Sequence, residues 1–93
     1  MKVRKDFVLR ETAGDYMIIP TGRTVQSFDG LITVNEVGAD LWNMLQSEVT
    51  FDDLLRGILT IYDVDEETAE EDIREFLDTL RERGILDESG ETA

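Results

Sequence analysis

The sequence predicts an α+β domain of the winged helix-turn-helix class, in which a small antiparallel β-sheet of about three strands is followed by three α-helices. Two observations support this class. Runs of β-prone residues with turn residues between them occupy the first third of the 93 residues, and helical periodicity with capping residues occupies the rest. Because strands and helices do not alternate along the chain, the order favours α+β over a parallel sheet built from βαβ units.

Composition indicates one folded domain without catalytic chemistry of its own. With 93 residues, of which 41% are apolar, the chain can bury one core. It has 9 basic and 22 acidic residues, and the net charge of −13 argues against binding to nucleic acids or to anionic membranes. His and Cys are both absent, which removes disulfides, the usual zinc ligands, the commonest general base and the thiol nucleophile. We therefore expect no catalytic residue, no metal site and no cofactor.

The chain has no targeting or membrane signal that we can identify. The N-terminal segment lacks the apolar stretch of a secretory signal, and the longest apolar runs are far shorter than the roughly 20 residues that span a bilayer. A cytoplasmic protein is the expectation. The acids of residues 63–67 do not predict a calcium loop, because Thr68 and Arg74 stand where such a loop needs Gly and Glu.

Two short β-type runs open the chain. Residues 7–11 form the first and residues 16–19 the second, with a glycine-containing turn between them. Pro20 follows the second run and ends it, because proline cannot donate to a sheet ladder.

A hairpin is predicted next. Residues 24–28 and 31–34 flank Asp29-Gly30, and an Asp-Gly pair between β-prone runs is a strong signal for a two-residue hairpin turn. Side chains alternate across a strand, so we expect Ile32 and Val34 to face the core. Residues 31–34 are the last strand before the helices and are a candidate sheet edge.

The first helix is predicted to begin after Asn35, whose side chain can cap the first turn. Val37, Leu41, Trp42 and Leu45 then recur at helical spacing on one face. This spacing favours core packing for the tryptophan over a role as a binding platform. A glycine within the first turns of this helix indicates close approach to a neighbouring backbone.

Two further helices follow. Thr50 and Asp53 form a variant of the capping box, and the last helix is predicted over residues 66–83, from Asp65 to a left-handed stop at Gly84. Its predicted buried face consists of Ala69, Ile73, Phe76, Leu77 and Leu80. We expect residues 1–86 to form the domain and residues 87–93 a flexible acidic tail.

Charge is distributed unevenly along the chain. Residues 1–47 carry five bases and six acids, whereas residues 48–93 carry four bases and sixteen acids. Such a concentration marks either a solvated helix surface or an interaction face, and the pattern leaves both open. The charge of the last helix argues against DNA binding, because its first turns are strongly acidic and would repel phosphates.

An edge strand beside a long helix suggests a peptide-binding groove. The free N–H and C=O groups of an edge strand can accept an added strand, and apolar pockets can receive alternate side chains of the added chain. Acids along the helix would favour a peptide that carries Lys or Arg. The same edge could pair with a second copy of the chain and form a homodimer.

Several blocks of the sequence resemble the PqqD-like family. The longest is Leu31-Ile32-Thr33-Val34-Asn35-Glu36-Val37-Gly38-Ala39-Asp40-Leu41-Trp42-Asn43-Met44-Leu45, which resembles the family's strand, its Leu-Asn-x-Thr-Gly segment and the helix after it. The resemblance covers roughly residues 7–86. The other matching positions are Thr50, Asp53, Leu54, Tyr62, Val64, Asp65, Ala69, Asp72, Phe76, Leu77, Leu80, Gly84, Ile85 and Leu86.

This resemblance implies a peptide-recognition element that acts as a peptide chaperone. Such domains bind the leader of a ribosomally made precursor peptide and present it to a modifying enzyme, often a radical SAM protein; the founding pathway makes the cofactor PQQ. The family's strand addition implies a peptide-binding site on the third strand and the third helix. Its candidate residues are Leu31, Ile32, Thr33, Val34, Ile73, Phe76, Leu77 and Leu80.

The sequence departs from the family pattern at a few positions. Val34 stands where Leu is frequent, Val37 where Thr or Ser is frequent, and residues 21–30 are longer than the usual connection. Two other functions stay open. The chain could be a winged-helix regulatory module that binds a protein partner, or a docking subunit that binds an enzyme without binding a precursor peptide.

Overall fold

The computed structural model describes residues 1–27 and 30–89. Within them, five strands and four helices form an α+β arrangement, which confirms the predicted fold class. Their bounds in chain order are β1 Lys2–Val3, β2 Phe7–Thr12, β3 Asp15–Pro20, α1 Thr24–Ser27, β4 Ile32–Val34, α2 Glu36–Met44, α3 Phe51–Ile61, α4 Glu66–Glu82 and β5 Leu86–Asp87.

The main sheet has three antiparallel strands in the order β2-β3-β4. A hairpin joins β2 to β3 through Ala13 and Gly14, whose φ angles are 51° and 86°; positive φ at both central residues is what a type I′ turn requires. Strand β4 returns along β3 with Val34 opposite Tyr16 and Ile32 opposite Ile18. Among the described strands, β4 therefore lies at one edge of this sheet with a single partner.

The predicted hairpin around Asp29-Gly30 is wrong. Thr24–Ser27 form the short helix α1 rather than a strand, and β4 pairs with β3 instead. The hydroxyl of Thr24 donates a hydrogen bond to Oδ2 of Asp6 at 2.5 Å, which secures this segment through a side chain rather than a ladder. Tertiary contacts thus override the β propensity of the segment. Phe28 and Asp29 lie outside the described residues.

The helix caps agree with the sequence. The side chain of Asn35 accepts a hydrogen bond from the N–H of Gly38 at 2.8 Å, and Thr50 and Asp53 form the reciprocal capping box. Asp65 caps α4, and Gly84, with φ at 73°, follows the C-cap residue Arg83. These caps place the starts of α2, α3 and α4 where the sequence predicts them, and α4 ends one residue before its predicted end.

One hydrophobic core joins the sheet to α2, α3 and α4. Trp42 is 2% exposed, which confirms core packing. Ile32 is buried and Val34 packs against the core, as predicted, while Thr33 faces outward. Other fully buried side chains of the core are Ile18, Leu41, Leu45, Leu54, Ile58, Ile73, Leu80 and Ile85.

A second, two-stranded sheet closes the domain, and no sequence pattern predicts it. Strands β1 and β5 pair with Val3 opposite Leu86 and Lys2 opposite Asp87. Strands of two residues carry no readable periodicity, so only the fold reveals them. The predicted tail thus begins within this sheet, while residues 90–93 lie outside the described part of the chain; the flexibility of the tail stays a prediction. No helix in the described ranges has the length and apolar character to cross a membrane.

Candidate functional site

An open groove runs between the edge strand β4 and helix α4. Its volume is about 200 Å³, which is below the roughly 300–1,000 Å³ of typical small-molecule sites. A space of this size suits a few side chains of a bound chain better than a complete cofactor. The lining residues are Ile32, Thr33, Val34, Asn35, Val37, Gly38, Leu41, Asp72, Glu75, Phe76 and Thr79.

The two long walls of the groove have similar lengths. The wall from β4 comprises residues 32–35, which span about 10 Å in extended conformation. The wall from α4 comprises residues 72–79, which span about 10.5 Å at the helical rise. Both walls therefore match the length of an extended segment of three or four residues.

The base of the groove depends on a glycine in α2. A Cβ atom at Gly38 would lie 3.0 Å from Cβ of Val34 and 3.2 Å from Cε1 of Phe76. Such distances are tighter than ordinary van der Waals contact, so α2 can approach β4 and α4 this closely because the residue has no side chain. The sequence predicts that Gly38 allows close approach to a neighbouring backbone. The nearest atoms instead belong to side chains, so this part of the prediction is wrong.

The wall from α4 carries two exposed carboxylates. Asp72 and Glu75 line the groove beside the half-buried ring of Phe76. Neither carboxylate forms an ion pair with another described residue. The guanidinium of Arg74 pairs with Glu70 and lies 5.6 Å from the ring centre of Phe51, away from the groove. The described residues contain no group of three His, Cys, Asp or Glu that could hold a metal ion.

A second pocket lies between α4 and the start of α3, with a volume of about 310 Å³. Its charged groups already have partners: Arg74 pairs with Glu70, and Arg81 pairs with Asp78 and Glu88. No edge of a strand lines it. It therefore offers a ligand neither free backbone groups nor uncompensated charge.

The eight candidate residues divide between the groove and the core. Ile32, Thr33, Val34 and Phe76 line the groove together, whereas Leu31 is 48% exposed just before β4 and is not part of its lining. The other three belong to the core and do not line the groove: Ile73, Leu77 and Leu80. A binding role for any of the eight stays a prediction.

The sequence-based candidates missed most of the α2 and α4 lining. Asp72, Phe76 and Thr79 follow one another at the spacing of a single helix face, and that periodicity could have found the two polar residues. The contribution of Val37 and Gly38 depends on how α2 crosses the sheet. No local pattern encodes that crossing.

The fold and the groove together define a winged-helix α+β domain with a free sheet edge facing a helix. The family model for coenzyme PQQ synthesis protein D (PqqD) matches residues 17–86. The chain therefore belongs to the PqqD family.

Two solved structures share the fold. TbiB1, in complex with the TbiA(beta) leader peptide, is 22% identical with a TM-score of 0.73, and the match covers 100% of both chains. Lasso peptide synthetase B1, complexed with the leader peptide, is 20% identical with a TM-score of 0.68, and the match covers 90% of this chain and 93% of the other. No curated protein matches the sequence.

Proposed function

We propose that this protein binds the leader segment of a ribosomally synthesised precursor peptide and presents it to a modifying enzyme. The observation that carries this function is the groove itself, in which the edge strand β4 and the helix α4 form opposite walls. Membership of the PqqD family and the fold shared with two proteins solved with leader peptides support it.

The leader binds by adding a strand to β4. An edge strand offers N–H and C=O groups to an added strand, and these main-chain bonds provide affinity with little dependence on sequence. Alternate side chains of the leader then point toward Val34, Gly38 and Phe76. The apolar part of the groove selects which residues the leader has there.

The protein contributes binding and not catalysis. This proposal rests on the sequence, which has no His or Cys and so lacks the commonest general base and the thiol nucleophile. The chemistry belongs to a partner enzyme, for which a radical SAM protein is our proposal. The cytoplasm, where precursor peptides are synthesised, is the proposed location.

The test is a titration of the ¹⁵N-labelled full chain with a synthetic peptide that corresponds to the leader of a candidate precursor from the same gene neighbourhood. We expect amide shifts concentrated at residues 32–35 and 72–79. The TbiA(beta) leader serves as a non-cognate peptide. A docking subunit would bind the modifying enzyme and leave the peptide titration flat, and a flat titration overturns the proposed function.

A pair of matched variants locates the site. Thr79 and Thr60 both lie on helices and both donate a hydroxyl hydrogen bond to the carbonyl four residues earlier, at 3.0 Å and 2.8 Å. Only the first lines the groove. Thr79→Trp should fill the groove and abolish the shifts, whereas Thr60→Trp should leave them unchanged. Equal effects of the two variants would place the site elsewhere.

A further inference from the structure

We infer that the bound leader carries a Lys or Arg two positions from an apolar anchor residue, and that Asp72 and Glu75 recognise its charge. This inference rests on the proposed function and specifies the class of peptide. Both carboxylates line the groove, both are exposed, and neither is paired with a cation in the described part of the chain. The groove therefore offers negative charge to whatever chain lies in it.

The cations of α4 that flank these carboxylates are engaged elsewhere. Arg74 pairs with Glu70 at 3.3 Å, and Arg81 pairs with Asp78 at 2.8 Å and Glu88 at 2.7 Å. In a chain with a net charge of −13, the groove therefore keeps an uncompensated negative wall. A cationic side chain entering the groove would complement it, while an acidic one would be repelled.

The spacing follows from the geometry of the two walls. Asp72 lies four residues before Phe76, which is about 6 Å along the helix. Residues of an extended chain that share one face recur about every 6.6 Å. For a leader that runs along the axis of α4, an apolar side chain over Phe76 and Gly38 therefore places the side chain two positions away beside Asp72, with Glu75 within reach of a long cationic side chain.

Selection of peptides provides the test, because it works without the sequence of the natural leader. A library of random short peptides is displayed and selected on the full-length protein. We expect enriched peptides to combine one apolar residue with Lys or Arg two positions away. Their binding should weaken as salt concentration rises, since screening reduces the attraction between exposed charges.

Two double variants then measure the role of the carboxylates. Asp72→Asn with Glu75→Gln removes the charge of the groove, and Asp63→Asn with Glu67→Gln removes the same charge from exposed positions outside it. We expect the first double variant to weaken the affinity for an enriched peptide by about 3- to 10-fold, because it removes one or two exposed ion pairs. The second double variant should have little effect on this affinity. Replacing the peptide's Lys by Gln should remove the difference between wild type and the groove variant.

The outcomes separate this inference from the proposed function. Peptides that bind in the groove without an enriched Lys or Arg, or equal effects of the two double variants, would overturn the inference and leave leader binding intact. If no peptide is enriched and the leader titration is also flat, the proposed function fails and the inference fails with it.

Discussion

The hydroxyl of Tyr62 donates a hydrogen bond to Oδ2 of Asp40 and so joins the residue after α3 to the middle of α2. Helix α2 carries Gly38, which lies against Val34 and Phe76 at the base of the groove. This bond therefore helps to hold the helix that forms the groove's base. Burial is the main cause that raises the pKa of the Tyr62 phenol, and the bond to Asp40 raises it further.

Removing this bond should destabilise the fold. Tyr62→Phe deletes the donor and leaves a half-buried carboxylate with one partner fewer, so we expect the free energy of unfolding to fall by about 1 kcal/mol. Urea denaturation followed by circular dichroism measures the change. Tyr16→Phe is the control, since the Tyr16 hydroxyl forms no hydrogen bond with the described residues. A loss of equal size in both variants would contradict a specific role of the bond.

The raised pKa of the Tyr62 phenol leads us to expect a loss of folding stability at alkaline pH. Its pKa is raised in the folded state above the ordinary value of about 10, so its contribution to stability is complete below pH 10 and is lost as the pH rises further. We expect the stability advantage of wild type over Tyr62→Phe to shrink as the pH rises from about 10 toward 12. Titrating groups that do not interact with Tyr62 are shared by the two proteins and cancel in the difference. An advantage that is independent of pH would refute this linkage.

The cap of α4 leads us to expect the opposite dependence, a loss of folding stability at acid pH, because the pKa of Asp65 is lowered. The hydrogen bonds to Asp65 from Thr68, first from its side chain and then from its backbone N–H, lower the pKa of that carboxyl. The stability from this cap is therefore present above about pH 4 and is lost as the pH falls through the lowered pKa. Asp65→Asn keeps a capping oxygen that does not titrate. We expect wild type to lose stability relative to this variant from about pH 5 to pH 2, measured by urea denaturation; a constant difference would argue against the cap.

A methyl group at Gly38 should impair binding more than folding. In Gly38→Ala the new Cβ would meet Val34 and Phe76, so one of them must shift and the groove changes shape. The better helix propensity of alanine, worth up to about 1 kcal/mol, offsets part of the strain. We expect weaker affinity for the leader peptide by isothermal titration calorimetry, with the circular dichroism spectrum retained.

Gly57→Ala provides the control for this variant. Gly57 is also a helical glycine, but its Cβ would meet the flexible side chain of Met44, and neither residue lines the groove. Leader affinity should therefore be unchanged in this variant. If both alanine variants bind the leader as wild type does, the space above Gly38 is not used by the peptide.

Self-association and peptide binding should compete for β4. Its free edge can accept a leader strand or a second copy of the chain, but not both. We expect the dimer fraction in sedimentation velocity to increase with ionic strength, because salt screens the repulsion between chains that each carry a charge of −13. Saturating leader peptide should return the chain to monomer. A dimer that persists with the peptide bound must use another surface.

Local signals accounted for most of the fold. Asn35, Thr50 and Asp65 are caps whose side chains act on the next turn, so each helix start was readable from neighbouring residues. The hairpin predicted around Asp29-Gly30 is wrong because tertiary contacts override its local turn signal. The turn at Ala13-Gly14 joins two paired strands, while Asp29-Gly30 follows a segment that α1 and its bond to Asp6 hold out of the sheet.

The sequence by itself determined the fold class, the helices α2 to α4, the absence of the commonest catalytic side chains and the acidic character of α4. All of these follow from composition or from spacing within one element. Only the tertiary structure decided which apolar residue of α4 reaches the groove, because Phe76 and its buried neighbours Ile73 and Leu77 share one apolar stripe in the sequence. Phe76 lies against Gly38 and stays half-buried, whereas Ile73 and Leu77 are covered by the core, since contacts between distant segments, and not local periodicity, decide which part of a stripe is covered.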